Sequence, residues 1–101
     1  MLYLLHDPFD LESVAELIRE VAKFGTVSLT KHCRQKMAVR NITFPDLMSV
    51  LQTGEIEEPP ERGCGPSQFK YKVKGSTIDE DTAVAITLII DHKSLLIVTV
   101  F

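Results

Sequence analysis

Residues 28–40, SLTKHCRQKMAVR, hold four Lys or Arg residues, one His and no acid, in a chain whose formal net charge is -3. Positions 32, 36 and 40 are spaced i, i+4, i+8, which sets His32, Lys36 and Arg40 along one side of a helix, with Cys33 and Met37 in a neighbouring apolar stripe. Such a row of donors can hold a phosphate or stabilise a pentavalent phosphorane, and an imidazole can move a proton near neutral pH. Arg34 adds a further cation to the segment. The same pattern also describes a solvated helix face, the usual outcome for charge runs on helices.

A second cation row lies in QFKYKVKG, residues 68–75. The alternation is strict: Phe69, Tyr71 and Val73 point one way, and Gln68, Lys70, Lys72 and Lys74 the other. Together the two rows account for seven of the eleven Lys and Arg residues. The acids gather elsewhere, at Glu55 to Glu61, at Asp79 to Asp81 and on the first helix. Lysines on a strand also protect a sheet edge from aggregation. The functional reading rests on coincidence: two cation rows, His32 within one, Gln68 beside the other, and a Gly-Pro loop between them.

Other groups offer less. GCG at 63–65 is too short for a phosphate loop and no helix follows it. Cys64 has no basic neighbour at a fixed geometry that would make it a nucleophile. Cys33 and Cys64 are too few and too far apart for a zinc motif or a disulfide framework, and neither His6 nor His92 has a partner at metal spacing. No metal and no cofactor is expected. Thr99 breaks an apolar strand, and its hydroxyl is expected either to satisfy a backbone group or to reach the open face of the sheet.

The elements that must position these groups follow from periodicity. In DLESVAELIREVAKFG the apolar residues recur at helical spacing, with Asp10 as N-cap and Gly25 at the stop. TVSL reads as a short strand, after which Thr30 caps a second helix running to about Arg40, and Asn41 and Ile42 turn the chain. Thr43 and Asp46 resemble a capping box for a third helix, with Pro45 in its first turn, Phe44, Leu47, Met48 and Leu51 on one face, and Gly54 at its end. A short edge strand is expected through Ile56, then a loop, then the lysine strand. Residues 83–90 and 95–101 form two nearly all-apolar strands, expected in the middle of the sheet and joined by DHKS. The order implies a single-domain α+β fold, its N-terminal helices packed on one face of a twisted antiparallel sheet.

The chain of 101 residues is long enough for one core, and its 45% hydrophobic and 25% charged content is that of a globular protein. Its pI near 5.5 argues against a nucleic-acid function, although net charge averages over surfaces that need not face one partner. The start, MLYLLHDPFD, lacks a cationic leader, and the most apolar stretch is interrupted by Asp91, His92 and Lys93, so a cytoplasmic protein with no membrane segment is expected.

The segment KHCRQKMAVRNITFPDLMSVLQTGEI resembles a small bacterial domain family with an H-x-x-x-[RK]-M-x-x-R helix, then I-T, then a helix ending in Gly, often closing on IVTV plus an aromatic. The matching positions are His32, Lys36, Met37, Arg40, Ile42, Thr43, Gly54 and residues 97–101. That family is similar to the toxins of MqsR-type toxin–antitoxin pairs, with a fold like the RelE group of mRNA interferases. The resemblance implies a metal-independent endoribonuclease in which the RNA 2′-hydroxyl attacks the adjacent phosphate, held in check by an antitoxin of zinc-finger or helix-turn-helix type. It implies catalytic roles for His32, Gln68, Lys70 and Tyr71, and substrate binding by Arg34, Lys36, Arg40, Lys72 and Lys74. MqsR-like toxins carry a Lys at the end of the last strand and a Tyr on the preceding one, whereas this sequence has Phe101 and the run Ala83, Val84, Ala85. The alternative is a catalytically inert interaction module of the same fold that binds an antitoxin-like partner. A homodimer is compatible with either.

Overall fold

The computed structural model describes residues 7–62 and 68–101. His6, Cys64 and the GCG motif lie outside the described residues. Helix α1, Leu11–Phe24, begins where the Asp10 carboxylate accepts from the Ser13 amide, and buries Val14, Ala15, Ile18, Val21 and Ala22. Strand β1, Thr26–Leu29, leads into α2, Lys31–Arg40, which stops at Asn41 in the left-handed region, φ 55°. Helix α3, Phe44–Thr53, carries the expected capping box between Thr43 and Asp46. The remaining strands are β2, Glu61–Arg62; β3, Phe69–Ser76; β4, Thr82–Asp91; and β5, Ser94–Val100.

The sheet order is β1-β5-β4-β3-β2, so the two apolar strands are interior, as their composition requires. The α+β class is borne out, but the sheet is mixed rather than antiparallel throughout. β1 runs parallel to β5, from Thr26 opposite Ser94 to Leu29 opposite Ile97. The expected strand through Ile56 is a single bridge, Glu55 to Lys74, and the edge strand is Glu61–Arg62 instead. Phe44 is also misassigned by periodicity: it stands at the helix start and is 45% exposed, while Val50 takes its place in the core.

Register divides the sheet into two faces. Tyr71, Thr87 and Ile97 are aligned across β3, β4 and β5, as are Val73, Ala85 and Val100, and all six are buried. Residues of α1, α2 and α3 join this side in one core, which includes Cys33, Met37, Ile18 and Leu51. The opposite face carries the rows Lys70–Leu88–Leu96 and Lys72–Ile86–Thr99. A third row adds Lys74, Val84 and Phe101, the last two joined by reciprocal backbone hydrogen bonds of 2.7 and 2.9 Å.

Two glycines let α3 lie directly on β3. A Cβ on Gly54 would collide with the Val50 carbonyl and the Val73 side chain, and one on Gly75 with the same carbonyl and the Gly54 backbone. Gly54 ends the helix in extended backbone, so close approach and not a left-handed turn requires glycine there.

Candidate functional site

Helix α2 is fixed to the sheet at its first residues. β5 is irregular between Ile97 and Thr99, which pair with Thr87 and Ile86, so Val98 is an extra residue without a β4 partner. The Thr30 hydroxyl donates to the Val98 carbonyl at 2.6 Å and accepts from the Cys33 amide at 3.0 Å, while the Thr30 amide donates to Ile97 O. One N-cap residue thus serves helix and bulge together. Behind it, Cys33 and Met37 seat the helix in the core, their sulfurs 3.8 Å apart. Burial pushes the Cys33 thiol up, with Arg34 opposing in part, so this thiol is a packing group.

With Cys33 and Met37 inward, the helical repeat sets His32, Lys36 and Arg40 on one flank of that stripe and Arg34 on the other. Lys31, His32, Arg34 and Arg40 are exposed, and Lys36 is partly buried against the helix. No acid lies in α2, and among the described residues no salt bridge holds any of its cations. Arg40 is in a different field from the rest: it shares a hollow with Asp46, Asp79 and Asp81. Asp46 is held below the usual carboxylate range by the Thr43 amide and hydroxyl and by the Ile78 amide. The useful positive surface is therefore the first two turns of α2.

The lysine strand is arranged as the alternation predicts but is not a bare cation row. Lys72 Nζ is 3.6 Å from Glu58 Oε1 and Lys74 Nζ is 3.8 Å from Glu57 Oε1. Lys70 stands opposite Glu61 across the β2–β3 pair. The acid run at 55–61, taken from sequence as remote, folds alongside the lysines. Sequence reasoning missed Glu57 and Glu58 as partners, although an acid run and a lysine row of similar length, joined by one loop, were the available signal.

Tyr71 does not stand with the lysines. It is 3% exposed on the core side, and its hydroxyl donates to the Pro8 carbonyl at 2.8 Å, tying down the residues ahead of α1. Burial first and Asp7 second push its pKa up to about 12. Phe9 meets Phe69 edge-on in the same region, centroids 5.7 Å apart. Gln68, partly buried, immediately precedes β3. Nor do the two cation rows share a surface: α2 packs on the core side of the sheet against β5, whereas Lys70, Lys72 and Lys74 lie on the opposite face, two strands further along, so the sheet itself stands between the rows and the composite site read from sequence is not assembled. Thr99 reaches the helix-free face, where its hydroxyl is buried without a hydrogen-bond partner. His92 sits in the β4–β5 turn, as read from sequence.

Among the described residues no cluster of His, Cys, Asp and Glu could hold a metal ion. Among the described residues no helix is long and apolar enough to cross a membrane. Residues 29–101 match the family model described as a domain of unknown function, DUF4258; the match takes in α2, α3 and β2 to β5 and leaves α1 outside. No curated protein and no solved structure matches.

Proposed function

The chain belongs to the DUF4258 family, and from that premise we propose that it is an RNA-directed toxin of a type II pair, an endoribonuclease whose working surface is the first two turns of α2. One observation carries this reading: Lys31, His32, Arg34 and Lys36 stand on a helix without acids, and no ion pair neutralises them among the described residues. Lys31 and Arg34 hold phosphates along the strand. His32 takes the proton of the 2′-hydroxyl as it attacks the neighbouring phosphorus, and returns one to the departing 5′-oxygen. Lys36, one turn further on, stabilises the phosphorane oxygens. This chemistry needs no metal. Gln68, Lys70, Lys72 and Lys74, with the lysines on the sheet face away from α2, serve as contacts for a separate stretch of the RNA, and Tyr71 drops out of the chemical step because it faces the core. The setting that fits is cytoplasmic, with a zinc-finger or helix-turn-helix antitoxin as the natural restraint.

Cleavage of total RNA by the purified protein, beside His32→Ala, tests the reading. Loss of at least a hundredfold in the variant, at unchanged RNA affinity, is the expected result for a proton-transfer group. Equal cleavage by both removes His32 from the mechanism, and no cleavage by either sinks the enzyme reading.

The second reading, an inert module that docks an acidic antitoxin-like partner, is favoured by Glu57 and Glu58, which show that carboxylates already suit Lys74 and Lys72. It predicts salt-sensitive complex formation that survives His32→Ala, without growth arrest on overexpression.

A further inference from the structure

Glu57 and Glu58 occupy the places on Lys74 and Lys72 that two anionic groups of a ligand would take. The segment that carries them is held at both ends: Glu55 exchanges backbone hydrogen bonds of 2.9 and 3.0 Å with Lys74, and Glu61–Arg62 pair with β3. Ile56 is buried in the core, and Glu57 and Glu58 after it are exposed. A hollow opens between Glu57, Glu58, Lys72, Lys74, Val84 and Phe101. The ion pairs, at 3.6 and 3.8 Å, are longer than charge-assisted hydrogen bonds, and all four side chains are at least 44% exposed. Contacts of this kind are weak and easily exchanged. Strand register places Lys70 opposite Glu61.

We propose that the Glu57 and Glu58 side chains form an acidic strap that masks the lysine strand and swings aside when the phosphates of a bound RNA take Lys72 and Lys74. The inference rests on the reading of the chain as RNA-binding. The lysine face is then a second contact for RNA, on the side of the sheet away from α2, open only when the carboxylates are displaced. Weak isolated anions do not displace it, because they must compete with carboxylates held at high local concentration. An RNA that offers several linked phosphates at once to Lys70, Lys72 and Lys74 competes on equal terms.

The test uses the full chain and a fluorescein-labelled single-stranded RNA carrying 2′-O-methyl groups throughout, so that attack by the 2′-oxygen is blocked. Glu57→Gln/Glu58→Gln is expected to bind it about two- to tenfold more tightly than wild type, from the loss of two exposed competitors. Its log K against log salt is expected to steepen by up to about 1.4, two phosphates at 0.7 each, since wild type exchanges carboxylate for phosphate with little net ion release. Adding Lys72→Gln/Lys74→Gln to that variant is expected to cancel the gain. Glu16→Gln/Glu20→Gln on α1 makes the same change in net charge away from the strap and is expected to leave affinity near wild type. An equal gain in both Glu pairs, or no gain at the strap while wild type binds, overturns the strap alone. No binding by wild type or by any variant overturns the RNA reading and the strap with it.

Discussion

Removing Lys31, Arg34 and Lys36 together, each as Gln, tests the assignment of the working surface to the first two turns of α2. These cations have no acid on their helix and no salt bridge among the described residues, so each is free to release a counterion when it meets a phosphate. For single-stranded RNA each contact contributes about 0.7 to the slope of log K against log salt, so the triple variant is expected to lose about 2.1. Across a fourfold salt range, 50 to 200 mM, wild type should then lose about 20-fold more affinity than the variant. Arg40→Gln is the comparison, because Asp46, Asp79 and Asp81 already share its hollow. Its slope should stay within about 0.3 of wild type, well under the 0.7 of one free contact. Fluorescence anisotropy with the non-cleavable RNA reads both. A triple variant with the wild-type slope, or an Arg40→Gln slope that falls as far as the triple variant's, would refute the placement of the surface.

Thr99→Val should stabilise the fold by about 1 kcal/mol in urea unfolding, since it removes a buried hydroxyl that has no partner. A loss of stability would show that the hydroxyl is satisfied. Thr87→Val is the control: that hydroxyl donates to Ala85 O at 3.2 Å, and its removal should be neutral or mildly destabilising. Tyr71 gives an alkaline signature. Its folded pKa, about 12, lies above the ordinary value, so the unfolded chain loses the proton first and stability falls as pH rises from about 10 to 12. The loss should approach 2 to 3 kcal/mol in order of magnitude, and Tyr71→Phe should flatten that part of the pH profile; an unchanged profile would refute the burial of this hydroxyl. Asp46 acts in the opposite range. Its lowered pKa means that its contribution is present above the ordinary Asp value and lost as pH falls through the depressed one, so Asp46→Asn should flatten the acid limb of the melting curve. Cys33, in a Cys64→Ser background, should react with a thiol reagent at the rate of global unfolding; rapid labelling of the native protein would contradict its burial.

The helices were legible because their signals are local. Asp10, Thr30 and Thr43 cap where sequence placed them, and Cys33 and Met37 face inward as the repeat requires. The alternation at 69–74 correctly put Tyr71 and Val73 on one face and the lysines on the other. A site combining Tyr71 with Lys70 is incompatible with that same alternation, which sends the two side chains to opposite faces of the sheet. What could not be read was long-range pairing. Nothing local in TVSL says that its partner is β5, or that the pair is parallel. Likewise the charge of Glu57 and Glu58 was visible, but their nearness to Lys74 and Lys72 depends on the Glu55–Lys74 bridge, which brings the segment back along β3. The bulge at Val98 has no sequence signal of its own, and it is what fixes the start of α2.

That bulge, and the parallel pairing beside it, impose an order on biosynthesis. β1 bonds to residues 94–97, and the Thr30 hydroxyl bonds to Val98, so both contacts join segments nearly seventy positions apart. During translation α1, β1, α2 and α3 emerge long before their strand partner, whereas the β3–β4 hairpin and the α3 surface that packs on it can form as soon as both have left the ribosome. Until β5 arrives, β1 has no neighbour in the sheet and the N-cap of α2 has no carbonyl to hold. The N-cap of α2 is therefore not tied to the sheet until β5 pairs between β1 and β4. A chain interrupted before residue 94 carries all the cations of α2 and lacks the strand to which its first residues bond.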